Sequence, residues 1–178
     1  MFKKEYTFYG SHAEKVKTLV SKFSEYSGST LFQRNVDVLL FAPIVGLLFG
    51  KTSSLDKSTN TTTKIFTDQM IREDLGIKFN FQLVSILDKK TSGDNSKKID
   101  LAFRSFGNED DDEKFSQFNE YILGGIDILY EKLIEPEKNN QDYIENLYDF
   151  LEEINDRYNE DIEEDRVNEI IALARDQE

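Results

Sequence analysis

The chain contains no cysteine and only one histidine in 178 residues. Without cysteine there are no disulfides, no thiolate nucleophile and no zinc–sulfur site. The single histidine, His12, is too little for a conventional zinc site, and any serine triad would have to use it. It sits in the segment Ser11-His12-Ala13-Glu14, where it reads as a surface residue at a helix start. No Gly-x-Ser-x-Gly elbow presents a serine. Neither a Gly-x-x-x-x-Gly-Lys-Ser/Thr phosphate loop nor a Gly-x-Gly-x-x-Gly fingerprint is present. Residues 155–161 are rich in oxygen ligands like a calcium loop, but the required glycine is missing and Tyr158 stands at a ligand position. The expectation is therefore a protein with no catalytic residue, no metal site and no cofactor. Long apolar runs are lacking too. The longest, residues 38–49, falls short of the ~20 residues that cross a bilayer. No secretory segment is readable at the start, so a cytoplasmic protein that does not contact membrane is expected.

What the chain does have is charge of both signs, sorted by position. Residues 1–106 carry 16 Lys/Arg against 11 Asp/Glu, a net of +5, and residues 107–178 carry 6 against 24, a net of −18. Such asymmetry concerns partners more than fold and favours binding over catalysis. Among the cations, Lys15, Lys17, Lys22, Arg34 and Lys51 are candidates for contact with DNA phosphates. In the acidic half, Tyr143, Tyr148, Phe150 and Tyr158 are aromatics of the kind that suit a protein interface. Helices dense in Asp and Glu can also imitate a phosphate backbone, which gives an alternative reading as a DNA-mimic inhibitor of a nucleic-acid-binding protein.

Periodicity describes a mainly α-helical protein. Its length, with 14 Phe and 8 Tyr, supplies a core. Ser11 and Glu14 have the spacing of a capping box, followed by Val16, Leu19, Val20, Phe23 and Tyr26 at helical spacing and a stop at Gly28. Residues 35–50 read as a buried helix that kinks or restarts at Pro43. Residues 51–64 read as a flexible surface loop. Residues 65–106 admit two readings, a small antiparallel pair or two more helices. Phe115, Phe118, Ile122, Ile126, Leu129 and Leu133 then form one amphipathic helix that Pro136 ends. Ile144, Leu147, Leu151, Ile154 and Tyr158 form another, with Val167, Ile170, Ile171 and Ala174 beyond. The expected organisation is a compact helical core over residues 1–135 with a small β element, and an acidic helical extension over residues 136–178.

Two segments are more specific. One is Phe32-Gln33-Arg34-Asn35-Val36-Asp37-Val38-Leu39-Leu40-Phe41-Ala42, followed by Gly46 and Gly50-Lys51. The other is Phe118-Asn119-Glu120-Tyr121-Ile122-Leu123-Gly124-Gly125-Ile126-Asp127-Ile128-Leu129. Together they resemble the DNA phosphorothioation-associated protein 4 family, small proteins of bacterial DNA-modification and phage-defence clusters. Pro43 falls where the family is alanine-rich, and the basic turn shrinks to Lys51. The resemblance implies a noncatalytic accessory subunit of an antiphage complex, partnered by a chromosome-maintenance-type ATPase or a nuclease, with DNA reached through that complex. Within the motifs, Asp37, Phe41, Gly46, Tyr121, Gly124 and Gly125 read as capping and packing positions. Two mid-helix glycines each forfeit ~1 kcal/mol against alanine, so a close neighbour, the 35–50 helix, is expected against them.

Overall fold

A computed structural model of the chain describes residues 4–22, 28–88, 98–104, 112–135 and 142–159. Two short strands, β1 (Tyr6–Tyr9) and β2 (Thr62–Ile65), accompany six α-helices among the described residues. These are α1 (Gly10–Leu19), α2 (Asn35–Leu48), α3 (Thr67–Arg72), α4 (Asp74–Leu87), α5 (Asp112–Leu133) and α6 (Asp142–Asn159). One π-helical turn, Asp100–Arg104, lies between α4 and α5. The fold is mainly α-helical with a small antiparallel pair.

The centre is the pairing of α2 with α5, the largest interface in the fold. α2 is apolar around most of its circumference and buries Val36, Val38, Leu39, Ala42 and Val45, as a core helix should. It runs without a break from Asn35 to Leu48 with Pro43 inside it, so it does not restart there. Gly50, at φ +62°, ends it in the left-handed conformation that glycine tolerates best. α5 buries Phe115, Phe118, Ile122, Ile126, Leu129 and Leu133 along one side.

Glycine lets these two backbones approach. A Cβ on Gly125 would lie 1.8 Å from the Ala42 carbonyl oxygen, and one on Gly46 2.2 Å from that of Tyr121. A Cβ on Gly124 would lie 2.3 Å from the carbonyl oxygen of Lys51, just past the end of α2. Ala42 and Gly46 are one turn apart on α2, and Tyr121 and Gly125 one turn apart on α5. The helices therefore cross through a ladder of small residues.

Three sequence expectations need correction. α1 starts at Gly10, and its N-cap residue, Tyr9, makes no side-chain cap. Ser11 donates its backbone N–H to Asp56 Oδ2 at 2.9 Å, so the cap is a carboxylate from a distant loop and not a capping box. α1 also stops at Leu19, while Phe23 and Tyr26 fall outside the described residues. The segment read as a loop over 51–64 ends in strand: β2 pairs antiparallel with β1 in the register Tyr6↔Ile65 to Tyr9↔Thr62. Of the two readings open for 65–106 the helical one holds: the described residues there form α3, α4 and the π turn, and the antiparallel pair lies elsewhere. Alternation at Ile77, Phe79, Phe81 and Leu83 gave the strand reading. In the helix, Ile77 and Phe81 are buried while Phe79 points out.

α4 joins the core through Ile77, Phe81 and Val84. Asn80 Nδ2 donates to the Leu40 carbonyl at 2.6 Å, in the turn of α2 just before Pro43. At the end of α4 the buried carboxylate of Asp88 accepts from Tyr121 Oη at 2.6 Å and from Gln117 Nε2. Burial and the Asp88 carboxylate together push the Tyr121 hydroxyl pKa up. α6 lies on the outside. Phe150 stacks on Phe49 with centroids 5.9 Å apart, and Lys132 pairs with Glu153 at 2.8 Å.

Candidate functional site

Three stretches far apart in sequence meet where α1, the 51–58 segment and α5 come together. Asp127 on α5 is the focus. Its Oδ1 accepts from Lys15 Nζ at 2.7 Å and its Oδ2 from Ser53 Oγ at 2.5 Å. His12 Nε2 stands 3.4 Å from Oδ1 but is not aligned as a hydrogen bond. Burial raises the Asp127 carboxyl, yet its His12, Lys15 and Ser53 neighbours outweigh burial and hold it well below the usual carboxylate range. Lys15 also lies over the Tyr130 ring, 5.6 Å from its centroid. The 51–58 segment is pinned at a second point, where Asp56 accepts from the Ser11 and Ser58 backbone N–H groups. Hydrogen bonding from the Ser11 side chain first, then from the Ser11 and Ser58 backbone, lowers the Asp56 carboxyl.

His12 corrects the surface reading. It is only 4% exposed, and neither ring nitrogen has a hydrogen-bond partner. Helix α1 carries it inward, one position before Ala13 on the buried side. Serine, histidine and aspartate do converge here, but in the wrong order for nucleophilic catalysis. The Ser53 hydroxyl donates to the carboxylate and leaves the imidazole out, whereas an activated serine hands its proton to the base. The cluster ties the 51–58 segment to α1 and α5. Among the described residues no group of three His, Asp or Glu side chains is placed to hold a metal ion.

The candidate phosphate contacts divide. Lys15 is engaged by Asp127, and Arg34 pairs with Asp37 at 2.6 Å and Glu73 at 3.1 Å. Lys17, Lys22 and Lys51 are exposed. Asp37 accepts the Arg34 backbone N–H at 2.9 Å and so caps α2. Phe41 is half-exposed and meets Phe32 at 6.0 Å between centroids.

The acidic aromatics divide as well. Phe150 is 3% exposed, its ring packed on Phe49, so it is a core residue and not one presented to a partner. Tyr143 is half-buried and Tyr148 is 69% exposed. The Tyr158 side chain and residues 160–178 lie outside the described residues. The apolar stripe of α6 divides too: Ile144, Leu147 and Leu151 are exposed, and Phe150 with Ile154 faces inward.

Sequence reasoning missed a second bare apolar surface. α4 exposes Leu75 (81%), Phe79 (62%), Ile86 and Leu87 along the side opposite its core face, and Phe66 and Ile71 of α3 are exposed as well. The signal was present: residues 75–87 hold more apolar positions than one helix face can bury.

A family model for DNA sulphur modification system-associated protein 4 matches residues 11–169. The chain belongs to this family. No curated protein and no solved structure matches it. The family match spans the α2–α5 ladder, the Asp127 cluster and the bare faces of α4 and α6 alike. The family description associates such proteins with a DNA sulphur modification system. Among the described residues no helix is long and apolar enough to cross a membrane.

Proposed function

We propose that this member of the DNA sulphur modification system-associated protein 4 family is a noncatalytic, cytoplasmic accessory subunit of a bacterial antiphage complex. It bridges or regulates a chromosome-maintenance-type ATPase or a nuclease, and the complex rather than this chain is the main contact with DNA. The supporting observation is the apolar side of α4. A helix whose core face is already complete still presents Leu75, Phe79, Ile86 and Leu87 to solvent. Contiguous exposed apolar surface of this kind marks protein contacts. The cations agree with that reading, since Lys15 and Arg34 are held by carboxylates of the same chain. In this reading residues 1–135 are the folded core and residues 136–178 the acidic extension.

The DNA-mimic alternative draws on the acids of α6, but it leaves Ile144, Leu147 and Leu151 without a role. A phosphate imitator has no need of bare leucines. Salt separates the two. Binding through charge alone weakens steeply as ionic strength rises, whereas an apolar interface does not. The test is a tagged pull-down from the native host, treated with nuclease and washed in high salt, with mass spectrometry of what remains. A stoichiometric ATPase or nuclease is the expected result. A bare protein after the wash, which regains a DNA-binding protein only at low salt, overturns the subunit reading in favour of mimicry.

A further inference from the structure

We propose that α6 is a docking rail for one kind of occupant: a cationic amphipathic helix of a partner protein. This deepens the subunit reading, because it names the chemistry of a partner contact. It is carried by the distribution of side chains around α6.

Ile144, Leu147, Tyr148 and Leu151 have the spacing i, i+3, i+4, i+7, and all four are exposed. That spacing makes one straight seam along a 3.6-residue helix. Phe150 and Ile154 sit on the adjoining edge and are taken up by the core. The seam is therefore the uncovered half of a single wide apolar face. Bare apolar residues in this pattern form the ridge that a second helix packs against, read as anchors one turn apart.

The other flank of the seam fixes the sign of the occupant. Glu145, Asp149, Glu152 and Asp156 are exposed and fall together on the wheel beyond Tyr148, on the side of the seam away from Phe150. Glu153 is already matched by Lys132 and Arg157 at 2.8 Å each, so it does not belong to this free ridge. An occupant lying on the seam brings its own flank against four carboxylates. Lysine and arginine there gain attraction and a higher encounter rate, while like charge is rejected. Phosphate backbones and anionic lipid are excluded on the same ground. So is a second copy of α6, which would set acid against acid. A helix with leucine-type anchors and a lysine- or arginine-rich flank satisfies both the seam and the ridge.

The probe is a labelled synthetic helix with leucine at i, i+3, i+4 and i+7 and lysine along one flank. A matched peptide with glutamate in place of lysine is the control. Both are titrated with the full chain by fluorescence anisotropy at about 0.15 M salt, where the Debye length is about 8 Å. The lysine helix is expected to bind and the glutamate helix to fail. Leu147→Ser with Leu151→Ser should weaken binding about a hundredfold, roughly tenfold or 1.4 kcal/mol for each leucine. Because both leucines are exposed, circular dichroism of this variant should match the parent. Glu152→Lys should weaken binding severalfold, while Asp68→Lys, the same charge change on α3, should leave it unaltered.

Failure of the parent to bind the lysine helix overturns the proposal. So does equal binding of the glutamate helix, or parent-like binding by the double serine variant. The peptide reports on the rail without the native partner. A bare protein in the high-salt pull-down would therefore refute the subunit reading while leaving peptide binding intact, and loss of peptide binding alone would refute only the rail.

Discussion

Gly125→Ala adds one methyl group, and the fold makes that addition destabilising. The new Cβ would stand 1.8 Å from the Ala42 carbonyl oxygen and 2.5 Å from its carbon. Both are backbone atoms, so no rotamer change relieves the clash. α2 and α5 must separate across the largest helix–helix interface among the described residues. Overpacking of a tight core costs about 1–3 kcal/mol, and backbone-on-backbone contact belongs at the top of that range. Alanine returns ~1 kcal/mol of helix propensity. The net loss is then ~2 kcal/mol, a fall in Tm of about 4–8 °C for a chain of this size. Gly76→Ala in α4 is the matched control. There the Cβ meets only the flexible Leu40 Cδ2 at 3.1 Å, so propensity dominates and the variant should match or exceed the parent. Urea unfolding followed by far-UV circular dichroism reads both. If Gly125→Ala keeps the parent's midpoint, the close crossing of α2 and α5 is wrong.

Further outcomes follow from the same packing. Asp127→Asn should cost about 1.5–3 kcal/mol at neutral pH, the usual scale for hydrogen bonds to a charged group. Because Asp127 titrates below its ordinary 3.8 in the fold, its contribution is complete above that value and fades as the pH drops beneath it. Acid titration should therefore destabilise the parent more than Asp127→Asn; parallel curves would refute this. Tyr121→Phe removes the Oη–H donor to Asp88 Oδ1, and a buried carboxylate short of a donor should lower stability by about 1–3 kcal/mol in the same urea assay. Leu75→Ser with Phe79→Ser should leave the melting curve within about 0.5 kcal/mol of the parent, as expected for surface positions. Under the proposed subunit role the pair should nonetheless lose whatever partner the pull-down recovers with the parent; retention of that partner would separate α4 from the contact.

The α-helical class, the extents of α2 and α5, and the apolar stripe of α5 were legible because each depends on residues near one another in the chain. Periodicity at 3.6 residues, a glycine at the end of α2 and a long amphipathic repeat are local signals, and local signals survive without knowledge of the fold. The glycines of α5 also announced a close neighbour, since a helix that gives up propensity twice in succession needs a reason. Their partners could be inferred only as another helix. That Gly125 meets Ala42 and Gly46 meets Tyr121 depends on how α2 and α5 cross.

Tertiary structure decided everything that joins distant segments. Strand β1 is recognisable only beside β2, more than fifty residues later, because a strand pair is stabilised by its ladder and not by its own sequence. Asp56 caps α1 from a loop that looked unattached, and Ser53 with Lys15 turns the half-buried Asp127 into an anchor. Which apolar residues stay bare was likewise beyond reach. Both α4 and α6 carry more apolar positions than one face can hold, and hydrophobicity ranks Leu147 and Leu151 with Ile154. Burial depends on where a neighbouring helix runs. The sequence by itself determined the helices and the two-signed charge; the packing of α6 on Phe49 through Phe150 decided which of its apolar residues face the core and which remain for a partner.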